Sequence, residues 1–189
     1  MKIGYCLTGS FCTFSKSIKA LEPIVSAGHM VVPIMSENAY STDTRFGKAV
    51  DFQNKLVEIT GNSIIHTIDK AEPIGPKKMF DVLCIAPCTG NTLAKLAHGI
   101  TDSAVTMAAK AHLRNGRPLV LAISTNDGLS GSAENIARLL NRKNVYFVPF
   151  GQDDPAKKPC SLQADFSLMY ASVEAAMAGA QLQPILTAK

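Results

Sequence analysis

The chain has 189 residues, 47% of them apolar and 18% charged, with 19 Lys and Arg against 15 Asp and Glu for a net charge of +4. That is room for one full-size domain with the composition of an ordinary globular protein, which excludes disordered and collagen-like classes. Its basic residues are scattered rather than striped, which argues against nucleic-acid binding, and its longest apolar runs fall far short of the roughly 18–20 residues of a membrane span, so a cytosolic chain is expected.

Short β-like runs alternate with longer helical patterns from the first residues onward. A strand over 3–7 is followed by a helix over 14–27, whose Ile18, Leu21, Ile24 and Val25 make one apolar face and which Gly28 stops. A strand over 30–35 leads to a helix over 46–59, carrying Val50, Leu56 and Val57, and then to a strand over 63–66. After a strand over 82–86 and a polar loop, Thr101 can cap a helix running to residue 114, with Asp102 in the first turn where the helix dipole favours negative charge. A strand over 119–124, a helix opening at Ser132 and a strand over 145–148 come next. Residues 151–160 read as a surface loop or lid, and residues 161–189 as a C-terminal helix, over 165–177, with a tail. The runs over 30–35, 82–86 and 119–124 lack polar alternation, as strands covered on both faces do. The architecture expected is α/β: a single-domain, three-layer αβα sandwich around a parallel sheet.

In such sheets ligands bind beyond the carboxyl ends of the strands. Four loops there are small and polar: Thr8-Gly9-Ser10, Ser36-Glu37-Asn38, Pro87-Cys88-Thr89-Gly90-Asn91-Thr92 and Ser124-Thr125-Asn126-Asp127-Gly128. Glycine lets backbone N–H groups approach an anion, hydroxyls add donors, and a following helix N-terminus adds partial positive charge, a combination suited to phosphate. Neither G-x-G-x-x-G nor G-x-x-x-x-G-K-[ST] occurs, so a mononucleotide fits better than NAD or ATP, and no G-x-S-x-G elbow supports a serine hydrolase. The five cysteines include no C-x-x-C pair, so buried thiols are expected rather than disulfides, and no metal site is assigned.

Thr8-Gly9-Ser10, Ser36, and the ordered Pro87, Asn91, Thr92, Lys95, Gly99 and Asp102 resemble the flavoprotein family of flavin-containing cysteine decarboxylases and flavin prenyltransferases, over nearly the whole chain. The resemblance implies a Rossmann-like sandwich binding FMN and assembled as a homo-oligomer, a trimer or dodecamer. It implies that Gly9, Ser10 and Ser36 hold the flavin phosphate and that Pro87, Thr89, Asn91 and Thr92 border the ring system and substrate, with Phe11, Cys88 and Ser124 completing the cofactor set. Two family motifs are missing. Pro73-Ile74-Gly75-Pro76 stands where the decarboxylases carry His-Ile-x-Leu, and Ala122-Ile123-Ser124-Thr125-Asn126 replaces their Pro-x-Met-Asn clamp, which argues against an FMN-dependent decarboxylase of a cysteine-type substrate.

Within the family, the segments 4–14, 86–92, Lys158-Pro159-Cys160-Ser161 and Gln183-Pro184-Ile185-Leu186 resemble one component of a two-component oxidoreductase that aromatises a partly reduced ring dicarboxylate. The resemblance implies that NAD(P) enters only through the separate partner subunit. Such a reaction needs a hydride acceptor, a base and cations for two carboxylates. Lys157 and Lys158 are the candidates for the carboxylates; Asp127, Glu37 and His98 are polar candidates for the base, and no catalytic residue is assigned. A competing reading makes the chain a non-catalytic or activating partner with a degenerate flavin fold, because Cys88 and Thr89 are bulkier than the residues they replace.

Overall fold

The structure is a computed structural model and describes residues 1–187, so the last two residues of the expected C-terminal tail, Ala188 and Lys189, lie outside it. Five parallel strands, β1 (Lys2–Leu7), β2 (Met30–Met35), β3 (Val82–Cys88), β4 (Leu119–Thr125) and β5 (Val145–Phe147), form the sheet in the order β2-β1-β3-β4, with β5 beside the first half of β4. Two short strands that periodicity does not reveal, β6 (Phe150–Gly151) and β7 (Leu162–Ala164), complete it. β7 runs antiparallel to β4, with Ser124 opposite Gln163 and Thr125 opposite Leu162, so the seven-stranded sheet is mixed rather than wholly parallel. β5 ends level with Leu121, which would leave the backbone groups at the end of β4 without partners; β7 fills that edge. A strand therefore stands where a helix-and-tail segment was expected to begin, and the 151–160 loop joins β6 to β7.

Among the described residues eight α-helices cover the two faces: α1 (Phe14–Ser26), α2 (Glu37–Ser41), α3 (Ala49–Thr60), α4 (Ile68–Ala71), α5 (Gly90–His98), α6 (Ala104–Leu113), α7 (Ala133–Leu140) and α8 (Met169–Met177). α1 packs on α3 and α8 on one side, and α6 packs on α4 and α5 on the other, with α7 against α5, giving the three expected layers. The stripe read from the sequence is the buried one: Ile18, Leu21 and Ile24 of α1 are buried, each contributing about 1.5–3 kcal/mol of apolar transfer energy. Gly4 of β1 lies against Phe80 and Leu83, for a Cβ there would collide with the side chains of both. The expected strand over 63–66 is reduced to a single bridge between Ile65 and Ile34.

A buried polar thread ties the layers together. The Tyr5 hydroxyl donates to the Ser17 carbonyl at 2.8 Å, and the Ser17 hydroxyl donates to the Ala86 carbonyl, linking β1 to α1 and α1 to β3. Tyr5→Phe leaves the Ser17 carbonyl without that donor and should cost about 1–2 kcal/mol. The expected result is a lower urea midpoint with an unchanged slope; an unchanged midpoint would show that the hydroxyl contributes nothing net.

Candidate functional site

The loops after β1, β2, β3 and β4 meet at one edge of the sheet; side chains lace the first to the third and fourth, and the Ser36 N–H donates to the Leu7 carbonyl to tie in the second. The Thr8 hydroxyl donates to the Pro87 carbonyl at 2.7 Å and accepts from the Thr89 N–H at 3.2 Å, joining the first loop to the third. Ser10 Oγ lies 2.8 Å from Ser124 Oγ, and Thr13 Oγ1 donates to that same Ser124 oxygen at 3.2 Å, joining the first loop to the fourth. Ser36 and Thr89 are N-caps, accepting from the N–H groups of Ala39 and Thr92 respectively, so their hydroxyls sit at helix starts facing the strand ends.

Two cavities open here. One, of 640 Å³, is lined by Gly9, Ser10, Phe11, Thr89 and Ser124 from the expected set. The other, of 420 Å³, is lined by Gly9, Ser36, Thr89, Asn91 and Thr92, and the two share Gly9 and Thr89. Pro87 and Cys88 line neither; both are buried in β3, and burial pushes the Cys88 thiol well above the ordinary range. Of the two bulkier residues that motivated the degenerate reading, Cys88 therefore lines neither cavity and Thr89 lines both. Lys158 lines the larger cavity, whereas Lys157 is exposed and lines neither.

The three polar candidates for a base separate. Asp127 accepts hydrogen bonds from Thr125 Oγ1 at 2.5 Å and Ser132 Oγ at 2.9 Å, which makes it a brace for the turn after β4. Glu37 borders the smaller cavity in the first turn of α2. His98 is exposed at the far end of α5, about 12 Å along the helix from the site. No histidine lines either cavity among the described residues; His66 stacks on Tyr40 with ring centroids 3.8 Å apart.

The larger cavity also brings in residues that sequence reasoning missed: Lys16 of α1, Arg45 and Phe46 from the loop before α3, Asp153, and Gln163 of β7. Lys16 Nζ donates to Gln163 Oε1 at 2.6 Å, and Lys158 Nζ stands 3.4 Å from Asp153 Oδ2. Lys16 lies outside the buried stripe of α1, and its partner sits on a strand with no periodic signal, so nothing local marked either residue.

Residues 1–167 match the family model described as Flavoprotein. The chain belongs to the flavoprotein family. This flavoprotein is 49% identical over 185 residues to the dipicolinate synthase B subunit of Bacillus subtilis, an overlap covering 98% of this chain and 92% of that one. The crystal structure of the dipicolinate synthase B subunit from Bacillus halodurans superposes with a TM-score of 0.92 at 46% identity, covering 100% of this chain and 96% of that chain. A dodecameric FMN-dependent UbiX-like decarboxylase from Escherichia coli is more distant, with a TM-score of 0.64 at 27% identity, covering 79% of this chain and 80% of that one.

Proposed function

We propose that this flavoprotein binds FMN and serves as the B subunit of a dipicolinate synthase, working with the A subunit of that enzyme, which binds NAD(P), to oxidise dihydrodipicolinate to dipicolinate. The observation that carries the reading is the 49% identity to a dipicolinate synthase B subunit maintained over 98% of the chain. The setting proposed is the cytoplasm of the mother cell during sporulation, in keeping with that relative's role name; among the described residues no helix is long and apolar enough to cross a membrane. Assembly as a homo-oligomer, a trimer or dodecamer, is part of the proposal and is supported by the dodecameric family member.

The residues present fit a flavin mononucleotide. Ser10, Ser36, Thr89 and Thr92 offer hydroxyls around two cavities that share Gly9 and Thr89, and the first turn of α5 adds N–H groups and the positive end of a nine-residue helix, which suits a phosphate. Phe11 and the end of β4 border the larger cavity, whose 640 Å³ volume is in the range of small-molecule sites. Bound FMN would supply a hydride acceptor. Aromatisation removes two hydrogens from the partly reduced ring, one as hydride and one as a proton. The part of this chain would be to hold the substrate within reach of the bound cofactor and to neutralise its carboxylates.

Dipicolinate formation from dihydrodipicolinate tests the reading, with the A subunit present, this chain added or omitted, and FMN added or omitted. The expected result is the fastest formation with both added, and flavin absorption bands near one cofactor per chain. A chain that changes nothing in any combination sinks the assignment. Carbon dioxide release from a cysteine-type substrate without the A subunit would instead favour a decarboxylase, which the lack of a histidine lining either cavity opposes.

A further inference from the structure

We infer that Lys16 and Arg45 are the residues that grip the two carboxylates of the ring substrate, an assignment resting on the dipicolinate synthase reading. The larger cavity is walled by three cations, Lys16, Arg45 and Lys158, and by one carboxylate, Asp153. Lys158 already faces Asp153 at 3.4 Å, so these two roughly offset each other. Lys16 and Arg45 have no ion-pair partner among the described residues. The ammonium of Lys16 rests on the neutral amide of Gln163, and the guanidinium of Arg45 lies 4.9 Å from the centroid of the Phe46 ring. The cavity thus carries two positive charges with no ion-pair partner among the described residues, enough to meet both carboxylates of a ring dicarboxylate when the FMN phosphate is held by the hydroxyls and the first turn of α5.

The two cations also come from different walls. Lys16 projects from α1, next to the loop after β1, while Arg45 comes from the loop preceding α3. Phe11 and Phe46 line the same space and offer apolar surface to a ring. A flat ring bearing two carboxylates would find two cations and two aromatic side chains lining the one cavity. Arginine can meet a carboxylate with two parallel N–H donors, and the lysine ammonium meets one as a point charge. A cavity of 640 Å³ leaves space for such a ring beside a cofactor.

The full chain loaded with FMN, in buffer freed of divalent metals, is titrated calorimetrically with pyridine-2,6-dicarboxylate and with pyridine-2-carboxylate. Lys16→Met and Arg45→Met should each weaken the dicarboxylate about tenfold, the loss expected for one hydrogen bond to a charged group. The double variant should bind the dicarboxylate no better than the native chain binds the monocarboxylate. FMN affinity, read from quenching of flavin fluorescence, should stay within about twofold of the native chain, and with the A subunit present KM should rise while kcat holds. Native affinity for the dicarboxylate in both variants, or loss of FMN in parallel with the dicarboxylate, overturns the assignment of these cations and leaves the dipicolinate synthase reading standing. A native chain that binds neither acid also overturns it, whereas failure of that reading itself appears separately, as a reconstitution that does not respond to the chain.

Discussion

Gly90→Val should unseat the site and destabilise the chain together. A Cβ at position 90 would stand 2.6 Å from Ser132 Oγ, 2.7 Å from Thr125 Oγ1 and 2.8 Å from Asp127 Oδ1, all closer than real Cβ contacts permit. Those three groups are bonded to one another, Thr125 and Ser132 both donating to Asp127, so the intruding side chain must break at least one hydrogen bond to a carboxylate. Short side chains on a strand end and a helix cap have little room to retreat, and the expected loss is about 3 kcal/mol. In a chain of this size that lowers the melting temperature by about 6–12 °C. Gly90 also follows Thr89, which lines both cavities, so FMN retention should fall about tenfold even where the variant is folded, if the phosphate loses one charge-assisted hydrogen bond. Thermal melts and flavin absorbance after gel filtration check the two effects separately. A variant that melts with the native chain would show that the cluster shifts without cost and that Gly90 is not required for packing.

That cluster illustrates what a sequence displays and what it hides. Strands β1 to β4 were legible because residues such as Leu119 to Ile123 form an unbroken apolar run, and every one of them is buried. The loops at their ends were legible because small hydroxyl residues and glycine concentrate there. Helix starts were less so. The helix expected from Thr101 begins at Ala104, capped by Ser103, because the Thr106 hydroxyl three residues on can return the hydrogen bond to the Ser103 N–H. Thr101 has Ala104 in the equivalent position, which cannot, and Asp102 instead pairs with Lys95 at 2.8 Å.

The helix expected from Phe46 begins at Ala49. Gly47 has φ of 143°, outside the helical region, and the Ala49 N–H is capped by Asp43 at 2.8 Å, six residues upstream and beyond any local pattern. β6 and β7 are two and three residues long, too short for alternation to show. Yet β7 delivers Gln163 and, through the loop before it, Asp153 and Lys158 to the larger cavity. The hydroxyl half of the site was therefore readable from strand-end loops, while of its charged half only Lys158 was named from the sequence, and Lys16, Arg45 and Asp153 join it through segments that only the folded chain brings together.

Stability should fall steeply on mild acidification because of one histidine. His112 of α6 is buried, and Nε2 lies 3.0 Å from the Pro118 carbonyl, just before β4, so the neutral ring holds the turn that launches the central strand. Burial pulls its pKa down to about 4; the Pro118 carbonyl and the Asp81 charge oppose that shift and the Arg117 charge adds to it. An unfolded chain releases this proton near the ordinary value of about 6.5. Above that pH neither state carries the proton, and the histidine's contribution is fully present. Between about 6.5 and about 4 the unfolded chain takes the proton and the folded one does not, so stability drains away as pH falls. Below that window both states are protonated and the loss levels off at about 3 kcal/mol. Carboxyl groups held below their usual range, such as Asp102 beside Lys95, give up their contribution lower on the pH scale and leave this window to the histidine. Urea titrations across the window should show the native midpoint dropping with pH and a His112→Gln variant, which can still donate to Pro118, dropping far less. Equal slopes for the two would mean that other groups carry the acid sensitivity.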